Sequence, residues 1–291
     1  MLQPKFSFGI VAFAVLASCS EPQPWNEPGW RPAAAPQRVV AASVLAAESL
    51  LGVLPRARLA GAHYFAADPG YSLVADRTGG VPLLGAAPEQ LLSVDPDLVL
   101  VDAYTRPETL ALLTLAGVPV VRTLDPRSFG DIEANLRSIG RVTHLDAELG
   151  AVVARMQEQL RAVEARGAGL TAWRLLSLDG ALHTYGQGSL FDAVACAAGA
   201  TNVAAERGVG AFRKLDIEEV LAWRPDAVVI SGEPGQGAPS WIAQLPGLEL
   251  LPCIARGRIV SVPGPLLSTT SHRLVDAAVC VQRQLAEWGS P

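Results

Sequence analysis

Imidazoles and phenols are few enough in this 291-residue chain to weigh singly: it has four histidines and four tyrosines. His63, His183 and His272 fall in segments that read as loops or strand ends. Three imidazoles converging across a gap would suit Zn2+ or an iron centre, although no close-spaced ligand motif accompanies them. Tyr64, Tyr71, Tyr104, Tyr185 and Phe212 would offer a bulky ligand large, flat contact area. Signatures of catalysis are missing. Residues 186–190, GQGSL, are not a G-x-S-x-G elbow, and neither H-E-x-x-H nor a G-x-x-x-x-G-K-[ST] phosphate loop occurs. No two acids stand out as a proton-transfer couple. Binding is the expectation and catalysis is not, with an enzyme kept as an alternative because catalytic groups can converge from distant segments.

What must position these groups is a chain that repeats itself. Residues 89–101 read EQLLSVDPDLVLV and residues 218–230 read EEVLAWRPDAVVI. Each has a glutamate, a leucine three on, a Pro-Asp pair and an apolar β-branched run. Proline disfavours helix in the residue before it, so each copy reads as a short helix, a break and a buried strand. Between the copies, residues 145–166 place apolar side chains (Leu145, Leu149, Val152, Val153, Met156, Leu160, Val163) at helical spacing without a proline. Such a helix would span about 30 Å. The expected fold is α/β, with two Rossmann-like lobes of mainly parallel strands joined by one long backbone helix. The lobes are assigned to residues 38–127 and 168–291, with residues 128–167 linking them. Residues 173–178 and 181–185 read as two strands around an Asp179-Gly180 turn.

Ligands of parallel sheets bind beyond the carboxyl ends of the strands. In the first lobe that rim would carry Ser43, His63, Tyr64, Asp102 and Tyr104. In the second it would carry His183, Tyr185, Gln187, Phe212, Ser231 and His272. The ligand is expected in the cleft between the rims.

Lys5 precedes an apolar run at residues 6–17, too short to span a bilayer but suited to a signal-peptide core. It ends in Leu-Ala-Ser-Cys, which resembles a bacterial lipobox and implies lipidation of Cys19. Residues 1–19 are therefore read as a lipoprotein signal peptide, and the protein is expected at the periplasm or cell surface. Residues 20–37, rich in proline, read as a flexible tether. Half of all residues are hydrophobic and 18% are charged, which excludes a disordered body, and a net charge of −5 offers nucleic acid no basic face.

Taken together, the lipobox, RVVAAS leading into a Glu-bearing helix, the two Pro-Asp frames, AGVPVV, the central helix, YGQGSLFDAVACAAGATNV and the closing GRIVSVPG resemble one bacterial family across residues 38–288. It is the substrate-binding proteins of ABC importers for ferric siderophores, haem and vitamin B12, whose lobes are joined by a rigid helix. The resemblance implies capture of a metal chelate between the lobes and delivery to a membrane permease driven by its ATPase. It implies a monomer without a cofactor of its own, its cargo carrying iron or cobalt. It also implies one exposed acid per lobe that meets the permease, at Glu48 and Glu218. Residue chemistry supports the second, since Asp216 and Glu219 form an Asp-x-x-Glu capping pair that leaves Glu218 free.

Without Cys19, three cysteines remain, an odd number for an oxidising compartment. Vitamin B12-binding members carry bridged cysteines at matching places, which implies a Cys196–Cys280 disulfide and leaves Cys253 a buried thiol; pairings with Cys253 stay open. By the same resemblance the aromatic residues would pack against a corrin, a porphyrin or a catechol chelate. Phe212 falls where B12 binders place a tryptophan, and Tyr104 lies close to another such place. Arg77, Arg106, Arg213 and Arg273 are the candidates for an anionic chelate, and Tyr64 or a histidine for an axial haem ligand. The alternative receptor would take zinc or manganese through histidines.

Overall fold

A computed structural model describes Trp25, residues 29–168 and residues 173–291. The signal-peptide reading, Cys19 and the start of the tether lie outside the described residues. Among those described, no helix is long and apolar enough to cross a membrane.

The first lobe contains β1 (Val39–Ala41), α1 (Val44–Leu50), β2 (Leu59–His63), β3 (Leu83–Leu84), α2 (Pro88–Leu92), β4 (Leu98–Val101), α3 (Pro107–Leu115) and β5 (Val120–Arg122). Its five strands run parallel in the order β3-β2-β1-β4-β5. All four residues of β4 are buried, as a strand covered on both faces requires. The chain order reverses between β1 and β4, which opens a crevice at their carboxyl ends.

Two helices follow. α4 (Phe129–Thr143) starts at Ser128, whose hydroxyl accepts from the Asp131 N–H, and ends at His144 in the left-handed conformation (φ 59°). α5 (Asp146–Gly167) is the 22-residue rod foreseen from its spacing, with Leu149, Val152, Val153, Met156 and Val163 buried.

The second lobe runs through β6 (Arg174–Ser177), β7 (His183–Thr184), α6 (Leu190–Ala197), β8 (Thr201–Asn202), α7 (Val203–Glu206), β9 (Arg213–Lys214) and α8 (Ile217–Trp223). It continues with β10 (Ala227–Ser231), α9 (Ser240–Gln244), α10 (Pro252–Ala255), β11 (Ile259–Val262), α11 (Gly264–Ser268) and α12 (Leu274–Trp288). Four strands form a second parallel sheet in the order β11-β10-β6-β8. The two lobes therefore own separate sheets, as the duplicated frame predicts. The expected hairpin does not form. The Asp179-Gly180 turn is present, but both edges of β6 are taken by β10 and β8, so β7 pairs antiparallel with β9 instead.

The frame repeats in atomic detail. Asp95 and Arg224, each just before a proline, both adopt the left-handed conformation (φ 46° and 47°). The aspartate after each proline then clips the start of the neighbouring strand. Asp97 accepts from the Arg38 N–H and Asp226 from the Arg174 N–H, each at 2.9 Å, and each donates its own N–H to that residue's carbonyl.

Two expectations need correction. The tether is docked from Trp30 onward: the indole packs on the core, Arg31 pairs with Asp146 at 2.9 Å, and the Pro32 carbonyl meets His144 Nε2 at 2.9 Å. Proline content marked it as extended chain, and the Trp30 indole is the anchor that ties it down. Cys196 and Cys280 are free thiols. Cys196 is exposed on α6, whereas the buried Cys280 thiol turns to the Ser261 carbonyl at 3.6 Å.

Candidate functional site

The carboxyl ends of the first sheet form one wall of a pocket of about 430 Å3. Ser43 follows β1, His63 ends β2, Asp102 and Tyr104 follow β4, and Asp125 lies beyond β5. The second lobe contributes Ser268, at the end of α11, and the two residues after it. The volume lies within the range of small-molecule sites.

Local chemistry holds the first wall. Asp102 Oδ1 accepts from the Tyr104 N–H (3.0 Å) and from the Thr105 hydroxyl (2.9 Å), fixing the turn that presents Tyr104. The Asp125 carboxylate beside the Tyr104 hydroxyl holds the phenol above its usual pKa. Burial pushes the His63 imidazole below its usual value, with Asp102 opposing. His63 Nδ1 accepts from the Phe65 N–H at 3.3 Å, so the neutral ring carries its proton on Nε2. Among the described residues that line the pocket, Asp102 and Asp125 are the charged side chains, and none is Arg or Lys.

Aromatic rings stand at both rims. In the first lobe His63, Tyr64, Phe65 and Tyr71 pack ring against ring, with centroids 4.6, 4.3, 5.4 and 4.7 Å apart for the pairs His63–Tyr64, Tyr64–Phe65, His63–Phe65 and Phe65–Tyr71. In the second, Phe212 meets His183 at 4.9 Å and Tyr185 at 5.4 Å. Tyr64, Tyr71, Tyr104, Tyr185 and Phe212 are 41–76% exposed. Large rings this open to solvent are the kind of surface on which a bulky ligand can pack.

Of the residues expected from sequence, Ser43, His63, Tyr71, Asp102 and Tyr104 line the pocket. Tyr64, Tyr185, Gln187 and Phe212 are exposed and are not among the residues that line it. His272 does not line it, and its Nδ1 is buried and unpartnered. The three imidazoles do not converge: His183 binds Asp179 through Nδ1 (2.9 Å), and among the described residues no cluster of three His, Cys, Asp or Glu is placed to hold a metal. Two of the arginines weighed for an anionic chelate are paired, Arg213 with Glu219 and Arg273 with Asp276. Phe65, Asp125 and residues 268–270 were missed; of these, only Phe65, next to Tyr64 in a loop already read as rim, carried a signal in the sequence.

The two acids assigned to a partner part ways. Asp216 and Glu219 do form the capping box, and Glu218 is exposed. Glu48 is only 3% exposed, with its oxygens accepting from the Leu73 N–H and the Thr269 hydroxyl, so it cannot meet an outside partner.

Burial, reinforced by Arg273, lowers the His272 pKa to about 4. Because the unfolded chain takes up this proton near pH 6.5 and the fold does not, stability falls as pH drops from 6.5 towards 4. His272→Phe should therefore lose about 3 kcal/mol less than the parent between pH 7 and 4, read by urea unfolding at both values. Equal losses in the two proteins would refute this.

A family profile described as periplasmic binding protein matches residues 65–266. A cobalamin-binding protein of Halobacterium salinarum is 28% identical over 201 residues, which make up 67% of this chain and 53% of that protein, so the chain spans about half the length of the curated relatives it matches. Among solved structures, the heme-binding protein RhuT of Roseiflexus sp. RS-1 superposes with a TM-score of 0.74 at 23% identity, over 86% of this chain and 99% of that one. The vitamin B12-binding protein BtuF of Vibrio cholerae superposes with a TM-score of 0.65 at 19% identity, over 87% and 97%. The profile covers well over half of a chain already seen to be two sheet-bearing lobes on a helical rod, and the chain belongs to the periplasmic binding protein family.

Proposed function

We propose that this protein is the extracytoplasmic receptor of an ABC importer and that its cargo is a corrinoid. The observation that carries the choice of cargo is the charge of the pocket: two carboxylates, a neutral imidazole and no Arg or Lys. Haem propionates or a catecholate siderophore would bring negative charge against Asp102 and Asp125, which the Arg127 charge felt at Tyr104 offsets only in part. A corrin presents amide side chains that donate to such carboxylates, and its faces suit the aromatic rims. The likeness to a cobalamin-binding protein points the same way.

In this reading the cleft catalyses nothing, the partner ATPase supplies the energy, and lipidated Cys19 holds the protein to a membrane. The rod between the lobes leaves few torsions free for a hinge, so closure is small. Docking uses one exposed glutamate per lobe. Glu218 keeps that role, and Glu89 replaces Glu48. Both lie in the first turn of the short helix of the repeated frame, seven residues before its proline, and both are exposed.

Calorimetric titration with cyanocobalamin, dicyanocobinamide, hemin and a ferric hydroxamate tests the cargo. Saturable one-to-one binding of the corrinoids is expected. Saturation by hemin or the hydroxamate, with the corrinoids inert, would overturn the assignment.

A further inference from the structure

Among the described residues, a single hydrogen bond joins the first lobe directly to the second. The Thr269 hydroxyl donates to Glu48 Oε2 at 2.6 Å, across 221 residues of sequence, and both residues are 3% exposed. The other carboxylate oxygen, Oε1, accepts from the Leu73 N–H at 2.9 Å, in the loop that carries Tyr71. On the far side, Thr269 Oγ1 lies 2.9 Å from Ser271 Oγ and accepts from the Ser271 N–H at 3.1 Å. Tyr71 and Thr269, one from each lobe, both line the pocket.

We propose that Glu48 and Thr269 are a latch across the floor of the cleft, which fixes the separation of the lobes and seats both walls against the cargo. A buried carboxylate is costly unless its oxygens are satisfied, and here satisfaction requires a donor from each lobe. If the lobes move apart, Glu48 loses the Thr269 donor; if the Leu73 loop opens, it loses the other. The carboxylate thus couples two segments that share no secondary structure. α5 limits how far the lobes travel, and the latch sets where they rest. Glu48 is a positioning residue, acting on the cargo through Tyr71 and residues 268–270.

Amide hydrogen exchange on the apo protein tests the latch without reference to any cargo. Thr269→Val removes the hydroxyl and keeps the shape; Thr269→Ala removes it with less bulk; Thr269→Ser keeps it. Both hydroxyl-free variants should exchange about tenfold faster or more in residues 66–76 of the first lobe as well as in their own loop, the serine variant matching the parent. A purely local role would change only residues 264–274. Faster exchange confined to that loop, or a serine variant as fast as valine, would overturn the latch. In a second arm, cyanocobalamin should dissociate about tenfold faster from Thr269→Val than from parent or Thr269→Ser. A parent that does not bind cyanocobalamin overturns the corrinoid reading, and the exchange arm still decides the latch.

Discussion

Replacing Glu89 and Glu218 together by lysine is expected to reduce chelate uptake severely while leaving chelate binding at the parent level. Each glutamate stands in the first turn of a short helix, α2 or α8, where the helix dipole favours its negative charge. Neither forms an ion pair among the described residues, whereas the neighbouring Glu219 is consumed by the capping box and by Arg213. Two equivalent carboxylates left unpaired on duplicated elements suit a partner with a basic patch for each lobe. Reversing a rim charge turns attraction into repulsion and acts mainly on the association rate. Each single reversal should therefore slow uptake at limiting cargo by roughly tenfold, and both together by more, at low salt above all. Uptake by the host strain and calorimetry on the purified variants measure the two halves of the claim. Glu164→Lys, an exposed position on α5, controls for net charge alone. Undiminished uptake by the double variant, or a loss matched by lost chelate binding, would remove both glutamates from the docking surface.

The architecture was legible because it is duplicated. The Pro-Asp frame announced two lobes twice, and the structure shows why its residues recur: the aspartate clips the next strand and the residue before proline turns left-handed. The rod was readable from spacing alone, since an amphipathic helix writes its buried face into the sequence. Within a single lobe the signal weakens. A turn such as Asp179-Gly180 specifies a reversal but not which edge the next strand will find free, and β6 had none to offer.

The site was legible in part for the same reason. His63, Asp102 and Tyr104 follow strand ends, and the strand ends were visible. Exposure was not. Glu48 and Glu218 are both glutamates on short helices, and what separates them is a threonine 221 residues away that meets only the first. The Cys196–Cys280 bridge that the resemblance implied is absent, because side-chain direction on two packed helices is set by their neighbours in this chain. The second wall of the pocket, residues 268–270, comes from a turn between helices that carries no binding signature.

Gly199→Ala is expected to be the most destabilising single methyl in the rod's attachment to the second lobe. The last residue of α5, Gly167, meets the turn after α6 backbone to backbone. A Cβ on Gly199 would lie 2.5 Å from the Gly167 carbonyl oxygen, and one on Gly167 would lie 2.9 Å from the Gly199 nitrogen. Gly199 also has φ +79°, where a side chain costs about 1–2 kcal/mol. The overlap is with backbone on both sides, so no rotamer change relieves it, and overpacking adds about 1–3 kcal/mol. A loss of about 3 kcal/mol is a large part of the ~5–15 kcal/mol that holds a typical protein folded, and it would lower the melting temperature by roughly ten degrees. Gly150 supplies the contrast on the same helix. It has open space where a Cβ would go, so Gly150→Ala should gain about 0.5–1 kcal/mol from helix propensity. Calorimetric melting of both variants beside the parent decides the matter. If Gly199→Ala melts with the parent, the rod is not welded to the second lobe at this contact, and the small lobe closure expected of the receptor loses one of its two supports.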